Sequence, residues 1–69
     1  MVEVFKTDVQ TKPQSEMILK ILLEKFPNYQ INFDLEDCDK ILRVKGKNIE
    51  SNNFIKLLNE NGHKCEILE

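Results

Sequence analysis

The sequence predicts an α+β fold in which two helices pack on one face of a four-stranded antiparallel sheet. Three observations lead to this fold class. The chain has 69 residues, so we expect a single domain spanning 1–69. Four segments have strand patterns and two have helical periodicity, in the order strand, helix, strand, strand, helix, strand. The apolar fraction of 41% and the charged fraction of 32% are ordinary for a soluble globular domain.

The first predicted strand is Val2–Thr7, in which β-branched and aromatic residues nearly alternate with polar ones. The pattern leaves its buried face undecided, because Val2 and Val4 lie on one side and Phe5 on the other. One arrangement buries the valines beneath the helices and leaves Phe5 on the uncovered face of the sheet.

The first helix is predicted to begin at Thr11, whose hydroxyl can cap the helix, and to continue to about Lys25. Pro13 suits the first turn, and Gln14 stands at capping-box spacing from Thr11. A core stripe is predicted for Ile18, Ile21 and Leu22. Leu19 and Leu23 widen this stripe, so they either cover the edge of the sheet or form a contact patch.

A β-hairpin is predicted next. Residues 29–35 alternate between apolar and polar over seven positions, the clearest strand pattern in the chain. A turn at 36–39 leads to a third strand over 40–45, with Leu42 and Val44 facing inward and Ile41 outward. Ser51 is expected to cap the second helix, and Gly62 to end it in the left-handed conformation. Residues 65–68 form a closing strand.

These elements fit a ferredoxin-like βαββαβ sandwich. Right-handed crossovers place the first and third strands in the centre, giving the strand order 4-1-3-2 with both helices on one face. The order also brings the first strand–helix loop, the hairpin turn and the second helix–strand loop to one end of the sheet. The predicted open face comprises Met1, Glu3, Phe5, Gln30, Asn32, Asp34, Ile41, Arg43 and Glu66.

Charge and composition disfavour several functional classes. The net charge is −2 and the ten basic residues are dispersed among acids, so we expect no nucleic-acid binding and no attraction to anionic membranes. No apolar run approaches the roughly 20 residues that span a bilayer. Met1 leads directly into a strand pattern without a signal peptide, which predicts a cytoplasmic location. In that compartment Cys38 and Cys65 are not expected to form a disulfide.

The first loop and helix carry apolar and polar residues at a recognisable spacing: Val9, Thr11, Gln14, Ile18 and Leu22. This spacing resembles the heavy-metal-associated (HMA) domains, in which a Met-x-Cys-x-x-Cys loop precedes a helix with apolar residues four and eight positions after the second cysteine. Val9 stands at the methionine position, and Thr11 and Gln14 stand at the two cysteine positions. Asn61-Gly62-His63 is similar to the glycine–aromatic turn of the family, with His63 replacing the aromatic residue.

The resemblance covers the whole chain and implies the same fold, but the residues that bind metal in the family are missing. Copper(I) and zinc favour soft, charged thiolates, which a threonine hydroxyl and a glutamine amide do not replace. We therefore expect no metal and no other cofactor. The alternative is a copper- or zinc-binding protein or metallochaperone with relocated ligands, for which Cys38, His63 and Cys65 have suitable side chains. The predicted strand order opposes it, since it separates the two cysteines by about 14 Å.

The function predicted from the sequence is a non-catalytic binding module that contacts another protein. Nothing supports catalysis, because the chain lacks a glycine-rich phosphate loop and His63 has no evident nucleophile and orienting carboxylate. Phe5, or Leu19 with Leu23, is expected to assist binding, and the sequence leaves self-association undecided. The predicted contact residues, taken from the loop positions of the family, are Val9, Gln10, Thr11, Gln14 and His63.

Overall fold

The computed structural model describes residues 1–68, which form two helices and four strands in the predicted order. The elements are β1 (Val2–Thr7), α1 (Lys12–Lys25), β2 (Gln30–Asp34), β3 (Ile41–Lys45), α2 (Ser51–Glu60) and β4 (Cys65–Ile67). The sheet is antiparallel with strand order β2-β3-β1-β4, which confirms the predicted order read from the other edge. The ferredoxin-like α+β fold is therefore confirmed.

The hairpin strands are slightly shorter than predicted because turns occupy their ends. The Tyr29 N–H donates to the Phe26 carbonyl at 3.2 Å, so β2 begins only at Gln30. Lys40 has a left-handed backbone (φ 50°), and its N–H donates to the Asp37 carbonyl at 3.0 Å. This tight turn delays β3 until Ile41.

The two helices begin differently. At α1 the predicted N-cap Thr11 is confirmed, together with its capping box and an early proline. At α2 the prediction is wrong, because Glu50 is the N-cap residue and Ser51 is already helical. Glu50 makes no side-chain capping bond. Gly62 adopts φ +83° after α2, as predicted.

The core lies between one face of the sheet and both helices. Phe5, Leu42 and Val44 from the sheet are fully buried, as are Leu22 of α1 and Leu58 of α2. Phe54 joins an aromatic group, with ring centroids 4.4 Å from Phe26, 5.8 Å from Tyr29 and 6.0 Å from Phe5. The Tyr29 ring lies directly on Gly46, where an added Cβ would come within 2.3 Å of it. Only glycine fits there.

The arrangement that left Phe5 on the uncovered face of the sheet is wrong. Residues paired across antiparallel strands share a face, and Phe5 pairs with the buried Leu42 while Glu3 pairs with Val44. The helix-covered face therefore carries Glu3, Phe5 and Thr7. The open face of the sheet carries, from edge to edge, Gln30, Asn32 and Asp34; Ile41, Arg43 and Lys45; Val2, Val4 and Lys6; and Glu66 and Leu68.

Candidate functional site

Three connections meet at one end of the sheet, as predicted, and hydrogen bonds tie them together. The Thr7 hydroxyl donates to the Lys40 carbonyl at 2.6 Å, and the Thr7 N–H donates to the Asp39 carbonyl at 3.2 Å. These bonds join the end of β1 to the hairpin turn. We call this end of the molecule, from Thr7 to Gln14 with residues 37–40 and 63–64, the loop end.

Asp8 joins the loop end to the α2–β4 turn. One oxygen, Oδ1, lies 3.1 Å from His63 Nδ1 and accepts the Lys64 backbone N–H at 2.9 Å. The His63 side chain is only 15% exposed, so its ring is held against the first loop. Sequence reasoning missed Asp8, and no local pattern identifies it, because its partners His63 and Lys64 lie 55 and 56 positions later in the chain.

Thr11 and Gln14, two of the contact residues predicted from the sequence, are engaged in starting α1. The Thr11 hydroxyl accepts the Gln14 N–H at 3.3 Å. The Gln14 side-chain oxygen accepts the Gln10 N–H at 3.0 Å and the Thr11 N–H at 3.3 Å. All three residues are exposed, but these polar atoms are already engaged with the local backbone. Their arrangement explains how α1 starts without requiring a ligand.

Val9 does not belong to a contact surface. Its side chain is 0% exposed and lies in the core cluster, and its N–H donates to the Thr7 hydroxyl at 3.3 Å. Phe5, proposed from the sequence as an assisting contact residue, is also 0% exposed. A partner could reach neither side chain without unfolding the chain.

The potential metal ligands named from the sequence are not brought together. Cys38 is exposed in the hairpin turn beside edge strand β2, whereas Cys65 is in the opposite edge strand β4. Burial raises the pKa of the Cys65 thiol to about 12, with further contributions from Asp8 and Glu66. A thiol that holds its proton this firmly is a poor metal ligand and a poor nucleophile at neutral pH.

A different set of potential ligand atoms does converge at the hairpin turn. Within residues 1–68, Asp37, Cys38 and Asp39 place one ligand atom each within 4.8 Å of the others. Both carboxylates of this cluster already have partners. Asp37 Oδ1 accepts the Asp39 N–H at 2.9 Å, and Asp39 Oδ1 lies 3.8 Å from Lys6 Nζ. The cluster is mostly exposed and is explained by the turn itself.

A groove of about 470 Å³ lies beside the loop end between β1, β4 and α2. Its lining has mixed charge, and within the described part of the chain every buried side-chain nitrogen or oxygen has a hydrogen-bond partner. Among the described residues, no unpaired buried side-chain nitrogen or oxygen points into this groove. The lining residues are Lys6, Thr7, Asp8, Asn59, Lys64, Cys65 and Glu66.

Two other surfaces expose apolar side chains. On the open face Val2 is 56% exposed and Leu68 is 39% exposed. On α1, Leu23 is 41% exposed and Leu19 is half-buried, beside a shallow groove with Glu16, Lys20 and Glu24. Leu19 is thus the better covered of the two leucines, and Leu23 is largely free. Apolar groups, rather than convergent polar groups, are what these surfaces offer a ligand.

Comparisons with protein-family models, curated proteins and solved structures found no match to this chain. Over residues 1–68, neither helix has the length and apolar character needed to cross a membrane.

Proposed function

We propose that this chain is a non-catalytic protein-binding module that contacts its partner through the open face of the sheet. The observation that carries the proposal is an apolar group around an arginine on the face that no helix covers. Val2, Val4 and Leu68 supply the apolar atoms and Arg43 supplies the cation. Protein interfaces are enriched in arginine and depleted in lysine and acidic residues at their centres.

The pairing of the strands sets the geometry of this group. Val4 lies opposite Arg43, and the Leu68 N–H donates to the Val4 carbonyl at 2.9 Å. Leu68, Val4, Arg43 and Asn32 therefore form one row across all four strands. Arg43 and Val4 are half-buried, so part of the ordering cost of these side chains is already met before binding.

The loop end is less suited to binding than the sequence suggested. The polar atoms of Thr11 and Gln14 are occupied in the capping box, Val9 is buried, and the His63 ring is held by Asp8. These contacts favour the open face over the loop residues as the main contact. Gln10 and the other exposed loop atoms would lie outside the centre of such an interface.

The resemblance to HMA domains supports the same proposal, in the form of an HMA-like module without a metal site. The buried positions Val9, Ile18 and Leu22 match the apolar positions of that family. The copper- or zinc-binding alternative is less favoured, because the Cys65 thiol is protonated and its separation from Cys38 across the sheet is retained. A cytoplasmic location also belongs to this proposal and rests on the two free cysteines.

The proposal is tested by capturing partners of the full chain with a cross-linker and then measuring binding of a purified partner by calorimetry. Val4→Asp is expected to weaken the affinity by about tenfold or more, because it places a charge in the centre of the contact. Leu23→Asp is the matched control, since it introduces the same charge at a partly exposed apolar position on the opposite side of the molecule. Far-UV circular dichroism checks that both variants fold.

Unchanged affinity in Val4→Asp and in Arg43→Ala would contradict the proposal. Loss of binding in Leu23→Asp alone would transfer the contact to α1, and loss in Gln10→Ala alone would transfer it to the loop end. Either result would keep a binding function but reject the open face as its surface.

A further inference from the structure

The solvent-facing side of α1 carries charged and apolar residues in an arrangement that is complementary to itself. The buried residues Ser15, Ile18 and Leu22 define the inner side of this helix. At 100° per residue, Glu16 and Lys20 lie roughly 160° and 200° from Ile18, directly opposite the core. We define the outer face of α1 as the residues that lie at least 100° from Ile18 around the helix: Lys12, Pro13, Glu16, Met17, Leu19, Lys20, Leu23 and Glu24.

This outer face is half apolar and half charged. Met17 is 66% exposed, Leu23 is 41% exposed, and Pro13 is also exposed. These residues flank the two central charges on both sides. Covering these apolar groups with a second surface would remove them from water, which favours association.

We propose that the outer face of α1 binds the outer face of α1 in a second copy of this chain, with the two helices antiparallel. The argument rests on the positions of the residues relative to Ile18. Glu16 and Lys20 are each two residues from it, Met17 and Leu19 one residue, and Pro13 and Leu23 five residues. A two-fold axis perpendicular to the helix at Ile18 therefore places each residue level with its counterpart from the other side of Ile18 in the second copy. Glu16 is then level with Lys20 of the second copy, and Met17 is level with Leu19.

The antiparallel arrangement brings opposite charges together at the centre of the contact. Glu16 lies beside Lys20 of the second copy, and Lys20 lies beside Glu16 of the second copy. Glu16 and Lys20 are also spaced i, i+4 within each helix, so the four side chains would alternate in charge around the centre of the contact. Single exposed ion pairs contribute little, but a network of several is more favourable.

The same axis also matches the apolar residues. Pro13 lies at the same height as Leu23 of the second copy, near each end of the contact. Met17 meets its own symmetry mate on one side of the four charges, and Leu19 meets its own on the other. Contacts of this kind, in which one patch binds itself, are the form that two-fold dimer interfaces take.

A parallel pair of helices would not have this complementarity. Parallel symmetry sets each residue beside its own copy, so Glu16 would face Glu16 and Lys20 would face Lys20. Like charges placed opposite one another disfavour association. The order of charges along α1 thus selects the antiparallel arrangement.

The contact is expected to be weak. A helix of 14 residues is about 21 Å long, and an interface confined to it is smaller than the roughly 1,200–2,000 Å² buried in stable complexes. We therefore expect a reversible dimer that forms at high protein concentration. This inference is independent of the proposed function, because the outer face of α1 and the open face of the sheet lie on opposite sides of the molecule.

The test is sedimentation velocity of the full chain from about 10 µM to about 1 mM, where mass action would reveal a weak dimer. Glu16→Lys and Lys20→Glu are each expected to weaken self-association by about tenfold, because each places like charges together at the centre of the contact. The double variant Glu16→Lys/Lys20→Glu restores alternating charge and is expected to recover the dimer. Circular dichroism monitors helix content in all variants.

A sedimentation coefficient that stays monomeric over the whole range would overturn the proposal. So would a dimer that tolerates both single reversals, or a double variant no better than the singles. Val4→Asp is the control on the open face and is expected to leave the dimer intact. If Val4→Asp abolishes self-association and the α1 variants do not, the two copies meet through the sheet and the α1 contact is wrong.

Discussion

The two faces of β1 have the same alternating pattern in the sequence but opposite environments in the folded chain. Phe5 and Thr7 on the covered face are at most 7% exposed, whereas Val2 on the open face is 56% exposed. The difference comes from neighbouring strands and not from β1 itself, since Phe5 pairs with the buried Leu42. A strand's own alternation defines two faces, and its partners decide which face is buried.

The sharpest test of this comparison is alanine substitution at neighbouring positions of β1. Phe5→Ala is expected to lower the free energy of unfolding by about 3–5 kcal/mol, because it leaves a cavity beside Phe54. Val4→Ala is expected to cost about 1 kcal/mol or less, since Val4 is half-buried and water can fill the space it leaves. Urea unfolding followed by circular dichroism measures both values.

The reverse ranking would mean that β1 presents its valines to the helices. A chain this small has a total stability of only about 5–15 kcal/mol at best, so Phe5→Ala could unfold completely. Phe5→Leu provides the milder variant in that case, and it should still be more destabilising than Val4→Ala.

A second difference between the faces concerns polar groups. Thr7→Val keeps the shape of the side chain but removes its bonds to the Lys40 carbonyl and the Val9 N–H. We expect a loss of about 1–3 kcal/mol, because both backbone groups lose a partner away from water. The reciprocal substitution Val2→Thr on the open face should change stability by no more than about 0.5 kcal/mol.

Amide exchange provides the independent measurement for Thr7. The Val9 N–H should exchange faster in Thr7→Val than in the wild type, while amides of α2 should not change beyond the effect of global stability. Equal stability and equal Val9 exchange would show that the hydroxyl makes no significant contribution at the loop end.

Most elements were predictable because their signals are local. Thr11 and Gln14 define a capping box by spacing alone, and the alternation of 29–35 is that of a strand. The buried face of β1 was not predictable in this way, because it depends on the pairing of Phe5 with Leu42, 37 positions later. Ser51 was misassigned because a good capping residue also fits the first turn, and the backbone rather than the side chain places Glu50 at the cap.

The loop end was predictable as a location but not in its role. The strand order correctly brought His63 to the first loop, yet the contact depends on Asp8, which lies 55 positions earlier. Val9 was predicted to be a contact residue from its place in the HMA-like spacing, but its side chain is 0% exposed. Local spacing located these residues, and only tertiary contacts distinguished structural residues from exposed ones.

Cys65 extends the comparison to edge strand β4, where it pairs with Thr7 on the covered face. Burial first, and then Asp8 and Glu66, raise the pKa of its thiol from 9.0 to about 12. Above pH 9 the thiol therefore loses its proton in the unfolded chain but keeps it in the folded chain. The unfolded state then binds fewer protons, so the stability falls as pH rises between 9 and 12.

At pH 10, which is one unit above the pKa of the thiol in the unfolded chain, the free energy of unfolding is expected to be lower by about 1.4 kcal/mol. The measurement is the change in unfolding free energy between pH 8 and pH 10, compared between the wild type and the variant. Cys65→Ala should lose less stability over this interval than the wild type. An identical pH dependence in Cys65→Ala would mean that water reaches this thiol in the folded chain. The helices would then cover β1 but not the Cys65 side chain of β4.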